Sequence, residues 1–105
     1  MVKASKKSKL RPETRAYDVA EQLRSPDERA AYLDAWLEEA PDDVAGIARA
    51  LGDVARARGM TEVARESGLS RESLYRALSE GGNPEFATVL KVLRALGLRL
   101  RVEVA

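Results

Sequence analysis

Gly68 divides the stretch MTEVARESGLSRESLYRALS, Met60 to Ser79, into two amphipathic halves. Each half is much shorter than the roughly 12–15 residues an isolated helix needs to be stable in water. The first half turns Val63 and Ala64 to one side, and the second carries Leu74 and Leu78 at helical spacing. Two such helices hold only if they pack on each other and on something larger. In a helix-turn-helix the pair crosses at about 90–120° through a three- or four-residue turn that commonly contains glycine. Close packing then needs a small residue in the middle of the first helix and an apolar one in the middle of the second. Ala64, Gly68 and Leu74 stand in those places, with Val63 and Leu69 beside them. Thr61 and Ser70 are placed as N-caps. The remaining face is made of hydroxyls, arginines, glutamates and a tyrosine.

The flanking sequence supplies the larger body. SPDE begins a helix: Ser25 and Glu28 are spaced for a reciprocal capping box, and Pro26 falls at the first helical position. Leu33, Trp36, Leu37 and Ala40 form its apolar stripe, and Pro41 closes it. With Asp42 or Asp43 as cap, Val44, Ile47, Ala48, Leu51, Val54 and Ala55 follow helical spacing up to Gly59. Asn83 and Pro84 are expected to cap and start a further helix, which turns Phe86, Val89, Leu90, Leu93 and Leu96 inward and ends at Gly97. Upstream, Tyr17, Ala20 and Leu23 share one face of a short helix behind Asp18.

At the C-terminus the period changes. Leu98, Leu100, Val102 and Val104 alternate with Arg99, Arg101 and Glu103, the pattern of a strand with one buried face. A lone strand is not stable in water, and no other segment reads as one. Two copies pairing antiparallel about a two-fold axis satisfy the edge. A register centred on Arg101 sets Arg99 opposite Glu103, a favourable pair, and also sets Arg101 opposite itself, so a second register stays open.

Charge is segregated along the 105 residues although the net charge is only +1. Residues 1–24 carry seven basic and three acidic side chains, 25–53 two and eight, and 54–105 nine and six. Such asymmetry points to different partners for different segments. MVKASKKSKL lacks the apolar content to offset its own ordering and is expected to be disordered, either as a solubilising tail or as a functional arm. Neither Cys nor His occurs, which removes thiolate chemistry, the usual zinc ligands and the commonest general base near neutral pH. No metal, cofactor or catalytic residue is expected. The doublets Glu38–Glu39 and Asp42–Asp43 read as helix-end residues. No apolar run approaches the length of a membrane span or follows the basic start as in a signal peptide, which gives a cytoplasmic expectation.

With these residues in place, the stretch from Asp43 to Leu96 resembles the lambda-repressor-like, Xre-type DNA-binding domains. It departs from many relatives in opening the first short helix with Met60 and Thr61 rather than glutamine, and in carrying Ser67 and Ala77 where larger apolars are common. If the second helix enters the major groove, Ser70, Arg71, Glu72, Tyr75 and Arg76 reach bases or backbone. Arginine pairs with guanine O6 and N7 and glutamate accepts from cytosine N4, so Arg71 and Glu72 form a candidate base-reading pair. Thr61, Ser73 and Arg76 are placed for phosphates. Two plainer readings stand beside these: Glu72 and Arg76 are spaced to pair with each other, and Tyr75 is equally a packing residue.

Three segments taken in order, YDVAEQLRSPDERAAYLDAWLEEA, IARALGDVARARGMTEVARESGLSRESLYRALS and GNPEFATVLKVLRALGLRL, look like the antidote proteins of RelE/HigB-type addiction modules. That resemblance implies an antitoxin that binds a small basic toxin and represses its own operon on palindromic operator DNA. The alternative is a stand-alone Xre-type repressor without a toxin partner. The expected fold is mainly α, a lambda-repressor-like helix-turn-helix bundle with one short C-terminal β-strand paired across a homodimer. The chain is expected to divide into a disordered basic tail (1–16), an N-terminal helical region (17–41) of which Tyr17 to Ala40 is a candidate toxin surface, a DNA-binding domain (42–97) and a dimerisation strand (98–105).

Overall fold

SPDE starts the first helix as its spacing predicts. The structure, a computed structural model, describes residues 23–79 and 81–105, so the expected tail and all of the expected 17–23 helix but Leu23 lie outside the described residues. Helix α1 spans Pro26–Glu39. The Ser25 hydroxyl accepts the Glu28 amide at 3.2 Å, and the Glu28 carboxylate accepts the amides of Ser25 and Arg24, each at 3.0 Å. Desolvation acts to raise the Glu28 pKa, but these hydrogen bonds and the Arg24 charge outweigh it and hold the carboxyl below its ordinary value. Of the two candidate caps for helix α2, Val44–Arg58, Asp43 does the capping, accepting the Gly46 amide at 2.9 Å.

Gly59, at φ 114°, ends α2 and begins helix α3, Met60–Ser67. Gly68 follows in the left-handed region at φ 79°, and helix α4, Arg71–Leu78, starts behind Ser70. Helix α5 covers Phe86–Ala95. Helix α2 is the hub: it packs on α1, α3 and α4, while α3 packs on α4 and α5. One core joins Leu23, Leu33 and Trp36 from the N-terminal side to Leu51, Val54, Val63, Leu74, Leu78, Val92 and Leu96. Small residues let the hub be approached closely. A Cβ on Gly46 would lie 2.6 Å from the Trp36 ring, and one on Gly52 would lie 2.7 Å from the Leu78 carbonyl oxygen.

Several expectations are corrected. Thr61 is not a cap, because Gly59 occupies that position and α3 begins at Met60. Asn83 and Pro84 do not start α5 either; Glu85 holds the N-cap, without a side-chain hydrogen bond. Leu37 is 46% exposed and Val44 55%, and on α5 Phe86 is 65% exposed, with Leu90 also on the surface. The core side of α5 is Val92, Leu93, Ala95 and Leu96. No strand occurs among the described residues: 98–105 has no regular secondary structure. Its start is fixed by the end of α5. Gly97, at φ 77°, donates to the Arg94 carbonyl and Leu98 donates to that of Leu93, which returns Leu98 to the core. Leu100, Val102 and Val104 are exposed, so the apolar alternation is present but no described residue covers it.

Candidate nucleic-acid interface

The geometry of α4 follows from what lies beneath it. Leu74 and Leu78 are fully buried, so the side of α4 away from them faces solvent. Ser70 accepts the Ser73 amide at 3.0 Å, and its hydroxyl donates to the Ser73 hydroxyl at 2.9 Å. This cap aims the first turn outward. Ser70, Arg71, Glu72, Tyr75 and Arg76 are all exposed and Ser73 is half-buried, so the structure brings these six candidates together along one short helix. Thr61 is exposed on the first turn of α3.

The charges on the two short helices are handled differently. On α3, Arg65 pairs with Glu62, and Glu66 takes the guanidinium of Arg58 at 3.3 Å. On α4, neither Arg71, Glu72 nor Arg76 has an ion-pair partner among the described residues. The Glu72–Arg76 pairing that their spacing allows is not formed. Arg71 instead lies over the Tyr75 ring, 5.9 Å from its centroid. Tyr75, 43% exposed, is neither core nor fully free: it is the platform on which Arg71 rests. An open groove of about 570 Å³ runs beside α4, lined by Ser73 and Arg76 on one side and by Asn83 and Thr88 on the other.

Sequence reasoning missed two polar arrangements. Arg29 is buried, its guanidinium donating to the Leu23 carbonyl at 3.2 Å and to that of Arg24. Asp53 is buried between α1 and α2, accepting from the Tyr32 hydroxyl at 2.9 Å and pairing with Arg56 at 3.2 Å. The second had a signal in part, since Asp53 and Arg56 are spaced i, i+3 for an ion pair. The first had none.

Fold and face together define a small all-α protein that presents one short helix whose cations have no ion-pair partner among the described residues. Residues 13–104 match the family described as "Probable addiction module antidote protein". A protein of Haemophilus influenzae (strain ATCC 51907 / DSM 11121 / KW20 / Rd), described as uncharacterized, is 53% identical over 87 residues, 83% of this chain and 88% of that protein. No solved structure matches. The chain belongs to the probable addiction module antidote family, and an antidote implies a toxin that it counteracts. Among the described residues no helix is long and apolar enough to cross a membrane.

Proposed function

We propose that the chain is the antitoxin of a type II module, that its toxin is RelE/HigB-like, and that it represses its own operon by binding operator DNA as a homodimer. In this reading α3, the Gly68 turn and α4 form an Xre-type helix-turn-helix, and α4 enters the major groove. The observation that carries it is that Arg71, Glu72 and Arg76 have no ion-pair partner among the described residues, on a helix whose other side is closed by Leu74 and Leu78. Cations on an outward-facing helix that no described carboxylate holds are available to phosphates and base edges. Resting on Tyr75, the Arg71 guanidinium is partly ordered before binding, which lowers the entropy lost on reaching a guanine.

The dimer reading is supported by the uncovered side chains of Leu100, Val102 and Val104, and by Phe86 and Leu90 on the helix that leads into them. Paired tails would offer two copies of α4 to half-sites about 34–36 Å apart. An operator-binding antitoxin acts in the cytoplasm.

The test is binding to the DNA upstream of the chain's own gene. Arg71→Ala is expected to cost about 1–3 kcal/mol on that sequence, about 5- to 150-fold in Kd, and to relax preference at one base pair. Arg76→Ala weakens specific and random DNA alike. Equal loss on both DNAs for Arg71→Ala would remove direct base readout by α4.

A further inference from the structure

The side chain of Asp53 is only 4% exposed, and two different helices supply donors to its carboxylate. The Tyr32 hydroxyl of α1 donates to Oδ2 at 2.9 Å, and the Arg56 guanidinium, three residues on along α2, donates to Oδ1 at 3.2 Å. A carboxylate this far from water depends on such partners for its charge to be tolerated. An exposed ion pair holds its members weakly, because solvent screens it and long side chains lose freedom in forming it. Here the acid is buried. Arg56, although 44% exposed, is therefore tied to the place that Asp53 gives it.

That place is the C-terminal end of α4. A Cβ on Gly52 would lie 2.7 Å from the Leu78 carbonyl oxygen, and 3.1 and 3.4 Å from the two terminal nitrogens of Arg56. Guanidinium and carbonyl thus converge on the space that a side chain at position 52 would fill. Leu78 is the last residue of α4, and the final carbonyls of a helix carry the negative end of its dipole, beside which a cation is favourable. Helix α1 packs on α2, and α2 on α4. Tyr32, Asp53 and Arg56 lead from the first of these helices, through the second, to the end of the third.

We infer that Arg56 is a positioning residue for operator recognition. Fixed by Asp53, which Tyr32 in turn holds, it sets how the C-terminal end of α4 sits on α2, and thereby where Arg71 and Glu72 stand at the other end. Arg71 and Leu78 are the first and last residues of α4. At roughly 1.5 Å per residue they are about 10 Å apart along the axis, so a tilt of about 5° at Leu78 moves the base-reading end by about 1 Å. Hydrogen bonds to base edges depend on distance and angle and weaken with such a shift, whereas attraction to phosphates scarcely changes. Leu74 and Leu78 hold α4 on the core; Arg56 fixes its angle there. The inference rests on the DNA-binding reading given above, and none of its three side chains has to touch DNA.

The experiment measures binding of the full chain to the DNA upstream of its own gene and to random DNA, below the thermal transition of every form used. Tyr32→Phe, Arg56→Gln and the double variant stand beside wild type. Leu33→Val, a change to a buried residue of the same helix, controls for lost stability. Tyr32→Phe is expected to weaken binding to the upstream DNA by about three- to tenfold and to leave random DNA as in wild type. The double variant should bind no more weakly than Arg56→Gln alone, because Tyr32 acts through Arg56. In the free chain, Tyr32→Phe should speed hydrogen exchange at the amides of Ala77 and Leu78, and Leu33→Val should not. Losses that add in the double variant, or upstream binding by Tyr32→Phe that matches Leu33→Val, would reduce the network to support of the fold and overturn the inference, while the DNA-binding reading stands. Arg56→Gln that weakens upstream and random DNA alike would make Arg56 a phosphate contact instead. A wild-type chain that does not distinguish its upstream DNA from random DNA would sink the DNA-binding reading, and this inference with it.

Discussion

Helix α4 and the C-terminal tail carry the same kind of sequence, apolar residues spaced among arginines and glutamates, and they end in opposite states. On α4 the apolar pair Leu74 and Leu78 is closed over by α2 and α3, which leaves the polar side outermost. On the tail Leu98 is drawn back to the core by the end of α5, but Val102 is 91% exposed and Val104 98%. Spacing sets which side chains share a face. Whether that face is buried depends on a partner surface, and the described residues provide one for α4 and none for the tail. Substitutions in α4 should therefore act on folding, and those in the tail on association.

The largest effect is expected at the best-covered position. Leu74→Ala removes a fully buried side chain where α4 meets the core, and should lower unfolding free energy by about 2–5 kcal/mol in a denaturant titration. For a domain of this size that is a large share of the total. A loss below about 1 kcal/mol would mean that α4 is loosely held, and the contrast with the tail would fail.

Gly52→Ala tests the same docking from the other side. Its Cβ would come within 2.7 Å of the Leu78 carbonyl oxygen, a backbone atom that cannot swing away, so the C-terminal end of α4 must shift or α2 must bend. The expected cost is about 1–3 kcal/mol by thermal unfolding.

How much of this was legible in the sequence follows the same division. Local devices could be read directly: the Ser25/Glu28 box, the Ser70 cap and the left-handed Gly68 depend on residues a few positions apart. So could Ala64 and Leu74, because a turn that short leaves little choice about which residues meet. The rotation of α5 could not. Val89, Val92 and Leu96 lie on one side, but Phe86 and Leu90 are apolar too, and the latter sits roughly 160° from Val92 at 100° per residue. A helix apolar nearly all round does not state which side goes inward, and packing on α3 decided it. Thr61 failed as a cap because Gly59, free to take a positive φ, ended one helix and began the next without a linker. Of the candidate interface, its membership on α4 was readable. The support of Arg71 by Tyr75 and the absence of a Glu72–Arg76 pair were not, since both depend on rotamers.

Ser70→Ala is expected to have a smaller effect than either core change. It leaves the Ser73 amide without its 3.0 Å acceptor at the start of a helix of only eight residues. The expected loss is about 1 kcal/mol, with faster hydrogen exchange confined to the first turn of α4. Protection lost throughout α4 would show that the cap, more than Leu74, holds the helix in place.

The smallest effect on folding, and the sharpest separation of the two regions, is expected from Val102→Asp. The side chain it replaces is almost wholly exposed, so unfolding measured at concentrations that keep the chain monomeric should change by less than about 0.5 kcal/mol. In the proposed dimer, with the antiparallel register centred on Arg101, Val102 would lie opposite Leu100 of the second copy, and the two-fold axis would repeat that contact. Each of the two sites then gains a carboxylate in an apolar strip, and sedimentation should show dissociation at concentrations well over tenfold higher than for wild type. Arg101→Glu is the companion: at the centre of that register it meets its own copy, so one repulsion replaces another and self-association should barely change. If Val102→Asp instead destabilises the monomer as much as Ser70→Ala does, the tail is packed within the chain, and its difference from α4 is one of degree only.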